Sequence, residues 1–438
     1  MQKNELLHTD TKKLYRKYLI PTLIGVVSNS LYCLVDVYFI SKGSGNLGLA
    51  ALNICMPIFT IFSAIGLLFG VGSATIMSIA EGNKDNETRN KAFSTGMIWM
   101  IGLGAIITIA SNLFLREFSL MLGSSESLLP YVMQYLRPIC LTSIAFIIMY
   151  ATSILLRSDH NPKLAMYALL AGNIANIVLD YVFVMIFGWG IFGAAFATAL
   201  SPVITIAIAA FHFINKKHNV HFCFKMDFLL WKRIFKNGLG SGLMEISAGS
   251  VIIIFNAVIL SISSELYLAA FSIITNIAYV LKGILNGFAQ ASQPIISTNY
   301  GANQKERSYE ALKHSIKYSG FFSFIVLILF LWIPKTVAVP FAGGDANLIE
   351  ISAIGIRLYF TCTLFMSFNI MIMYYYQAIE QGNKATLLAI LKGFIFILIA
   401  LLILVPLFQI HGVWLAVTLA EGGTTLIAIY FLKKKSLQ

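Results

Sequence analysis

Charge is scarce in this sequence. Only 11% of its 438 residues are Asp, Glu, Lys or Arg, where a soluble globular domain carries about 25%. The five cysteines, Cys33, Cys55, Cys140, Cys223 and Cys362, have no metal-ligand spacing and imply no disulfide framework. The histidines are scattered and likewise offer no metal spacing. A phosphate-binding glycine loop closed by Lys-Ser/Thr is missing, which argues against ATP as the energy source. The net charge of +12 does not point to nucleic acid, because the basic residues sit between apolar runs rather than in one patch.

Apolar residues fill the space that charge leaves. They make up 58% of the chain, and the mean hydropathy is +0.80. Runs of about 20 apolar residues, enough to cross a bilayer as a helix, recur along almost the whole length. The pattern predicts twelve spans near 18–41, 47–80, 92–114, 128–156, 163–187, 190–213, 238–262, 267–298, 315–339, 350–379, 386–408 and 412–432. The first run is of spanning length, so no signal peptide is expected. Lys12, Lys13, Arg16 and Lys17 precede the first span; Lys84, Arg89 and Lys91 follow the second; Lys216 to Lys236 fill the centre; Lys433 to Lys435 end the chain. The alternate connections hold little beyond Lys42, Arg116 and Lys335. Positive-inside reasoning places both termini in the cytoplasm of a multi-pass plasma-membrane protein.

The chain repeats. Leu49-Ala50-Ala51 recurs as Leu268-Ala269-Ala270, 219 residues on, and Gly82 meets Gly301 at the same offset. Gly190 and Ala194 answer Gly412 and Ala416. Each half holds six spans, an even number, so the halves share one orientation and form a parallel repeat. The expected fold is all-α, with a first lobe over 1–213, a basic connection over 214–237 and a second lobe over 238–438.

Polar residues inside apolar runs carry the functional signal. Asn173, Asn176 and Asp180 lie three and four residues apart, hence on one helix face. Asn29, Tyr32 and Asp36 form a similar stripe in the first span. Charged residues in a spanning helix are costly and mark ion or substrate paths. Counting residues from the span ends puts Asp36, Asp180 and Thr198 at one depth, with Asn176 a turn deeper. Such an oxygen-rich set suits a hard cation such as sodium, and an empty carboxyl buried there would hold a proton instead. The second half carries Glu245, Lys282, Lys392 and Glu421, and Lys282 is expected to pair with Glu245 or another acid. Tyr374 to Tyr376 read as an interfacial belt, and His212, His218 and His221 as solvated.

Pro21, the Tyr32–Asp36 pair, Gly70-Val71-Gly72-Ser73, Gly82, Tyr135, Asn176–Asp180, Gly193 to Thr198, Gln290, Gln293-Pro294 and Gly301 together resemble the multidrug and toxic compound extrusion (MATE) family, bacterial multidrug-efflux type. The resemblance runs from about Pro21 to Tyr430. It implies an antiporter, not an enzyme, that exports organic, cationic, apolar compounds in exchange for protons or sodium and needs no cofactor. It implies a coupling-cation site at Asp36, Asn176, Asp180 and Thr198, and a hinge at Pro21. It also implies a cavity with Tyr32 and Tyr135. Asn173, Glu245 and Gln293 join the substrate-cavity set, with Glu245 matching a glutamate some members use in the second lobe. The aspartate those members carry in span ten is absent; 350–379 offers Asn369. Partners expected are small organic cations and membrane lipid, not nucleic acid, with the protein a monomer. The rival readings are a lipid-linked precursor flippase, which would want a basic cleft, and a membrane-embedded transferase, which would want an acid–base or metal set at a membrane face.

Overall fold

The computed structural model describes residues 5–214, 219–223 and 227–436. Its longest helical stretch, Thr11–Gly82, has 72 residues. At 1.5 Å per residue that is roughly three and a half times the thickness of a bilayer core, so it must cross more than once. Gly45 divides it. With φ 57° and ψ −148°, it adopts a backbone that only glycine takes without strain. The two parts are α1 (11–44) and α2 (46–82).

The other spans follow in order. They are α3 (Asn86–Leu113), α4 (Leu129–Leu141 joined to Ser143–Ser158 through a 59° bend), α5 (Pro162–Ile186) and α6 (Gly190–Ile214). The second half has α7 (Phe228–Ile262), α8 (Glu265–Gly301), α9 (Lys305–Trp332), α10 (Ala346–Ala378), α11 (Gly382–Phe408) and α12 (Ile410–Ser436). Among the described residues ten helices are long and apolar enough to cross a membrane, and the bent pair makes an eleventh. The break at Gly45 supplies the twelfth. Among the described residues there is no strand.

Local chemistry sets the starts of these helices. Asp10, Asp85, Asn161, Asp227 and Asp345 each accept a hydrogen bond from a backbone N–H in the first turn that follows. A cap of this kind is worth about 1 kcal/mol. Pro162 opens α5, where its missing N–H costs nothing. Pro21 and Pro57 lie within helical stretches, and Gly45 is the one non-helical residue between Thr11 and Gly82.

The repeat is visible in the backbone as well as in the sequence. Lys84 and Asn303, 219 residues apart, both have positive φ; so do His160 and Glu380, 220 apart. The residues differ within each pair, but the turns are the same. Where α2 crosses α8, a Cβ on Gly82 would run into the carbonyl of Thr298, and one on Gly301 into that of Ile79. Residues 79 and 298 are themselves 219 apart. The crossing therefore maps onto itself when the halves are exchanged, as a two-fold axis along the bundle requires. Gly72 against Ile234 and Gly238 against Leu68 extend the close approach along α2 and α7. These contacts seal the halves together at the end of the bundle where α1 begins and α12 ends.

Two expectations are corrected here. Tyr374, Tyr375 and Tyr376 are buried rather than interfacial; α10 is an interior helix there, and Tyr374 receives a hydrogen bond from Gln290 of α8 (3.3 Å). His212 is buried rather than solvated, 2.5 Å from the carboxylate of Asp159. The physical reason is that residues 219–223 fold back over the first half. Asn219 N–H donates to Asp159, His221 N–H to Asn90 and Cys223 N–H to Ser94. His221 is exposed, and His218 lies outside the described residues. The tenth span is one run, as expected, with a tight helical turn at Phe360–Cys362 inside it.

Candidate functional site

Asp180 ends the regular α-helical part of α5, and a wider helical turn follows at Tyr181–Ile186. Such turns re-aim side chains and recur at functional sites. Asp180 is fully buried, as is Asn176 one turn before it. Thr198 of α6 donates its hydroxyl to Asp36 Oδ1 of α1 at 3.3 Å. The Asn176 amide, oriented to satisfy both its ends, donates to Asp180 Oδ2 (3.3 Å) and accepts from Thr198 N–H (3.2 Å). The carboxyls of Asp36 and Asp180 lie within hydrogen-bonding reach of each other. Asp180 Oδ1 has no hydrogen-bond partner among the described residues. Two carboxyl groups in contact can share a proton or a bound cation, but they repel as two bare anions.

Other residues singled out from the sequence fall into two groups. Asn173 donates to Ser28 of α1 (2.9 Å), tying α5 to α1 beside the carboxyl cluster. Tyr135 is buried against Phe59. Gln293 is buried between the halves, donating to Thr75 Oγ1 of α2 (3.0 Å). Tyr32 is half-buried. None of these four lines the cavity between the halves. The carboxyl cluster is also off that lining. Asn29, by contrast, does face it.

The central cavity lies between the halves and has a volume of about 410 Å³. Its wall is mostly apolar, with Val26, Leu67, Met149, Met244 and Phe271 among its residues. Four charged side chains line it, all from the second half: Glu245 of α7, Lys282 of α8, Lys392 of α11 and Glu421 of α12. Lys282 and Glu245 are 3.9 Å apart. Lys392 and Glu421 form a tighter pair at 2.8 Å. Asn369 of α10 donates to the other carboxylate oxygen of Glu421 (2.6 Å), and Thr425 donates to Asn369 (3.0 Å). Lys392 lies in a second wide helical turn, Leu391–Ile395.

Sequence reasoning named these residues but did not assemble the Asn369–Glu421–Lys392 set, whose members come from three helices at no periodic spacing. Arg157 was missed altogether. It resembles the basic residues that flank helix ends, yet it is buried and donates to Gln290 (2.8 Å) across the interface. Among the described residues no cluster of three or more His, Cys, Asp or Glu could hold a metal ion.

Comparison with known proteins agrees with this architecture. The multidrug export protein MepA of Staphylococcus aureus (strain MSSA476) is 26% identical over 422 residues, covering 95% of this chain and 93% of MepA. An outward-facing multidrug resistance MATE family transporter of the MOP superfamily superposes with a TM-score of 0.93 at 24% identity, over 99% of this chain and 98% of that one. A MATE crystal structure in the straight conformation gives 0.92, also at 24% identity and with the same coverage. The MatE family profile matches residues 21–182 and again 241–404, once in each half. This double match covers most of the chain, and the protein belongs to the MatE family, the multidrug and toxic compound extrusion transporters.

Proposed function

We propose that this transporter is a secondary active antiporter that exports organic, cationic, apolar compounds in exchange for protons or sodium ions. The observation that supports it best is the carboxyl pair Asp36–Asp180, in contact with Thr198 and Asn176 and enclosed within the first half. Asp36, Asn176, Asp180 and Thr198 hold the coupling ion, and the open oxygen of Asp180 is the valence it fills. Loading neutralises the pair; release leaves two anions that repel. Either change alters how α1, which carries Asp36 and Pro21, packs against α5 and α6. The ion drives transport only through its different affinity for the two states of the lobes.

In this reading the lobes comprise 1–213 and 238–438, with 214–237 as the cytoplasmic connection of a monomer in the plasma membrane. The basic residues favour a cytoplasmic location for the end that carries the termini. The glycine contacts then make the described state one closed to the cytoplasm. The cavity takes the drug, and Glu245 is the carboxylate on its wall available to a substrate cation.

The test is transport in proteoliposomes with a proton gradient and a sodium gradient imposed separately. Asp36→Asn and Asp180→Asn should each abolish gradient-driven efflux of a fluorescent cation while the purified variants still bind it. Wild-type efflux rates from either variant would remove this assignment.

A further inference from the structure

A cavity meant for cations alone would be expected to carry net negative charge, and this one does not. Its lining holds two acids and two bases, and Arg157 adds a buried cation just beyond Gln290. The two lysines differ. Lys392 is tightly paired with Glu421 at 2.8 Å, with its side chain 10% exposed. Lys282 has no such partner. Its closest carboxylate oxygen, on Glu245, is 3.9 Å away, and its one hydrogen bond, to the Met244 carbonyl, spans 3.5 Å. Charge-assisted hydrogen bonds normally close to about 2.7–2.9 Å. An ammonium in an apolar cavity with its hydrogen bonds this long is poised to take an acceptor from outside the chain.

The helix around Lys282 continues the polar lining of the cavity. Lys282, Asn286 and Gln290 are spaced by four residues, so they line one face of α8, and all three face the cavity. Asn286 has an amide oxygen without a partner among the described residues. Gln290 is held by Arg157 on one side and Tyr374 on the other. The face thus presents an ammonium for the acidic group, then an amide oxygen open to an N–H donor of the substrate's cationic part, then a fixed amide. Glu245 stands beside the ammonium, ready for a positive centre close to the acidic one.

We propose that Lys282 is the specificity-determining residue of the central cavity and takes the acidic group of an amphoteric aromatic compound, one whose carboxylate lies near its cationic centre. This rests on the export function proposed above and narrows its substrate class. Substrate carboxylate displaces the long Lys282–Glu245 contact, and Glu245 turns to the substrate cation. The tight Lys392–Glu421 pair stays closed.

Rhodamine 110 and its methyl ester, rhodamine 123, test this directly. They share one ring system; the first is a zwitterion at neutral pH and the second a monocation. Binding to purified protein in nanodiscs is read by fluorescence anisotropy. Wild type should bind both. Lys282→Met should weaken the acid by roughly tenfold or more, the cost of one charge-assisted hydrogen bond. The same change should tighten the ester, because Glu245 loses its competitor. Lys282→Arg should restore the acid, which a purely structural lysine would not predict. The double variant Lys282→Met/Glu245→Gln leaves no lone buried charge, so it guards against misfolding; it should lose the acid as well. Equal shifts for both dyes, or Lys282→Arg behaving like Lys282→Met, would overturn the assignment. If wild type exports the ester under a gradient but does not bind the acid, the inference fails and the export reading stands. If wild type moves neither dye under either gradient, it is the export reading that fails.

Discussion

The two halves of the molecule bury carboxyl groups by opposite means. In the first, Asp36 and Asp180 face each other, with a hydroxyl and an amide as their other partners. In the second, Glu421 gives one oxygen to Lys392 and the other to Asn369. A carboxylate beside a tethered ammonium is neutralised in place and needs nothing from solution. Two carboxyls in one cleft need a proton or a metal cation from outside. The duplicated backbone therefore holds one cluster that the chain completes itself and one that it leaves incomplete. A transporter needs only one incomplete cluster to couple to an ion gradient, and the second half is then free to shape the cavity wall.

Removing the tethered cation tests that contrast most severely. Lys392→Leu strands Glu421, whose side chain is 6% exposed. Breaking a buried pair by removing one partner costs about 3–5 kcal/mol. The variant should show a large drop in Tm in detergent, and Lys392→Leu/Glu421→Leu should recover most of it. Sodium or low pH should raise the Tm of the single variant far more than that of wild type, because the second half would now need an external cation, as we propose the first half does. Equal losses in the single and double variants would mean that the two residues do not act as a unit.

The crossing of α2 and α8 tests the equivalence of the halves rather than their difference. Gly82→Ala and Gly301→Ala each place a Cβ against a backbone carbonyl of the opposite helix. Overpacking of this kind costs about 1–3 kcal/mol. Both variants should loosen the sealed end to a similar extent. The readout is thiol labelling at Thr75→Cys, a position buried between the halves next to Gln293. Labelling that rises for one glycine and not for the other would show that the crossing is not functionally two-fold.

The contrast between the halves was only half legible in the sequence. Asp36 and Asp180 stand out because each is a polar residue at helical spacing inside an apolar run, so periodicity alone puts them on a face. Depth counting then brought them to one level with Thr198. Glu421, Lys392 and Asn369 stand out singly, but nothing in their positions along the chain says that they meet. Lys282 could be paired with Glu245 by depth, though not the length of that contact. Tyr374 to Tyr376 and His212 were misread for one reason: a residue near the end of a predicted span is assigned to the interface. The structure buries the tyrosines in an interior helix and covers His212 with residues 219–223. Pairs such as His160 and Glu380 share a backbone turn but no chemistry, so at those two positions the repeat shows in the backbone and not in the letters.

That last pair gives the smallest effect and confines it to one half. His160 follows α4 and contacts Glu81 of α2 at 2.6 Å. Glu380, its counterpart after α10, contacts Arg233 of α7 at 2.6 Å. A guanidinium stays charged at every pH of interest, so Arg233 keeps its charge across that range. His160 titrates near neutrality. Burial lowers its pKa, but the hydrogen bond and charge of Glu81 outweigh burial, and the net direction is upward from 6.5. A raised histidine pKa contributes stability that is fully present below 6.5 and lost as pH rises through the folded value. Hydrogen exchange at residues 159–162, corrected for intrinsic rates, should therefore accelerate between pH 6 and pH 8.5, while exchange at residues 379–382 should not. His160→Gln should remove the pH dependence at the first turn and leave the second unchanged. Equal pH dependence in both turns would mean that the two contacts differ in letters alone and not in how they respond to protons.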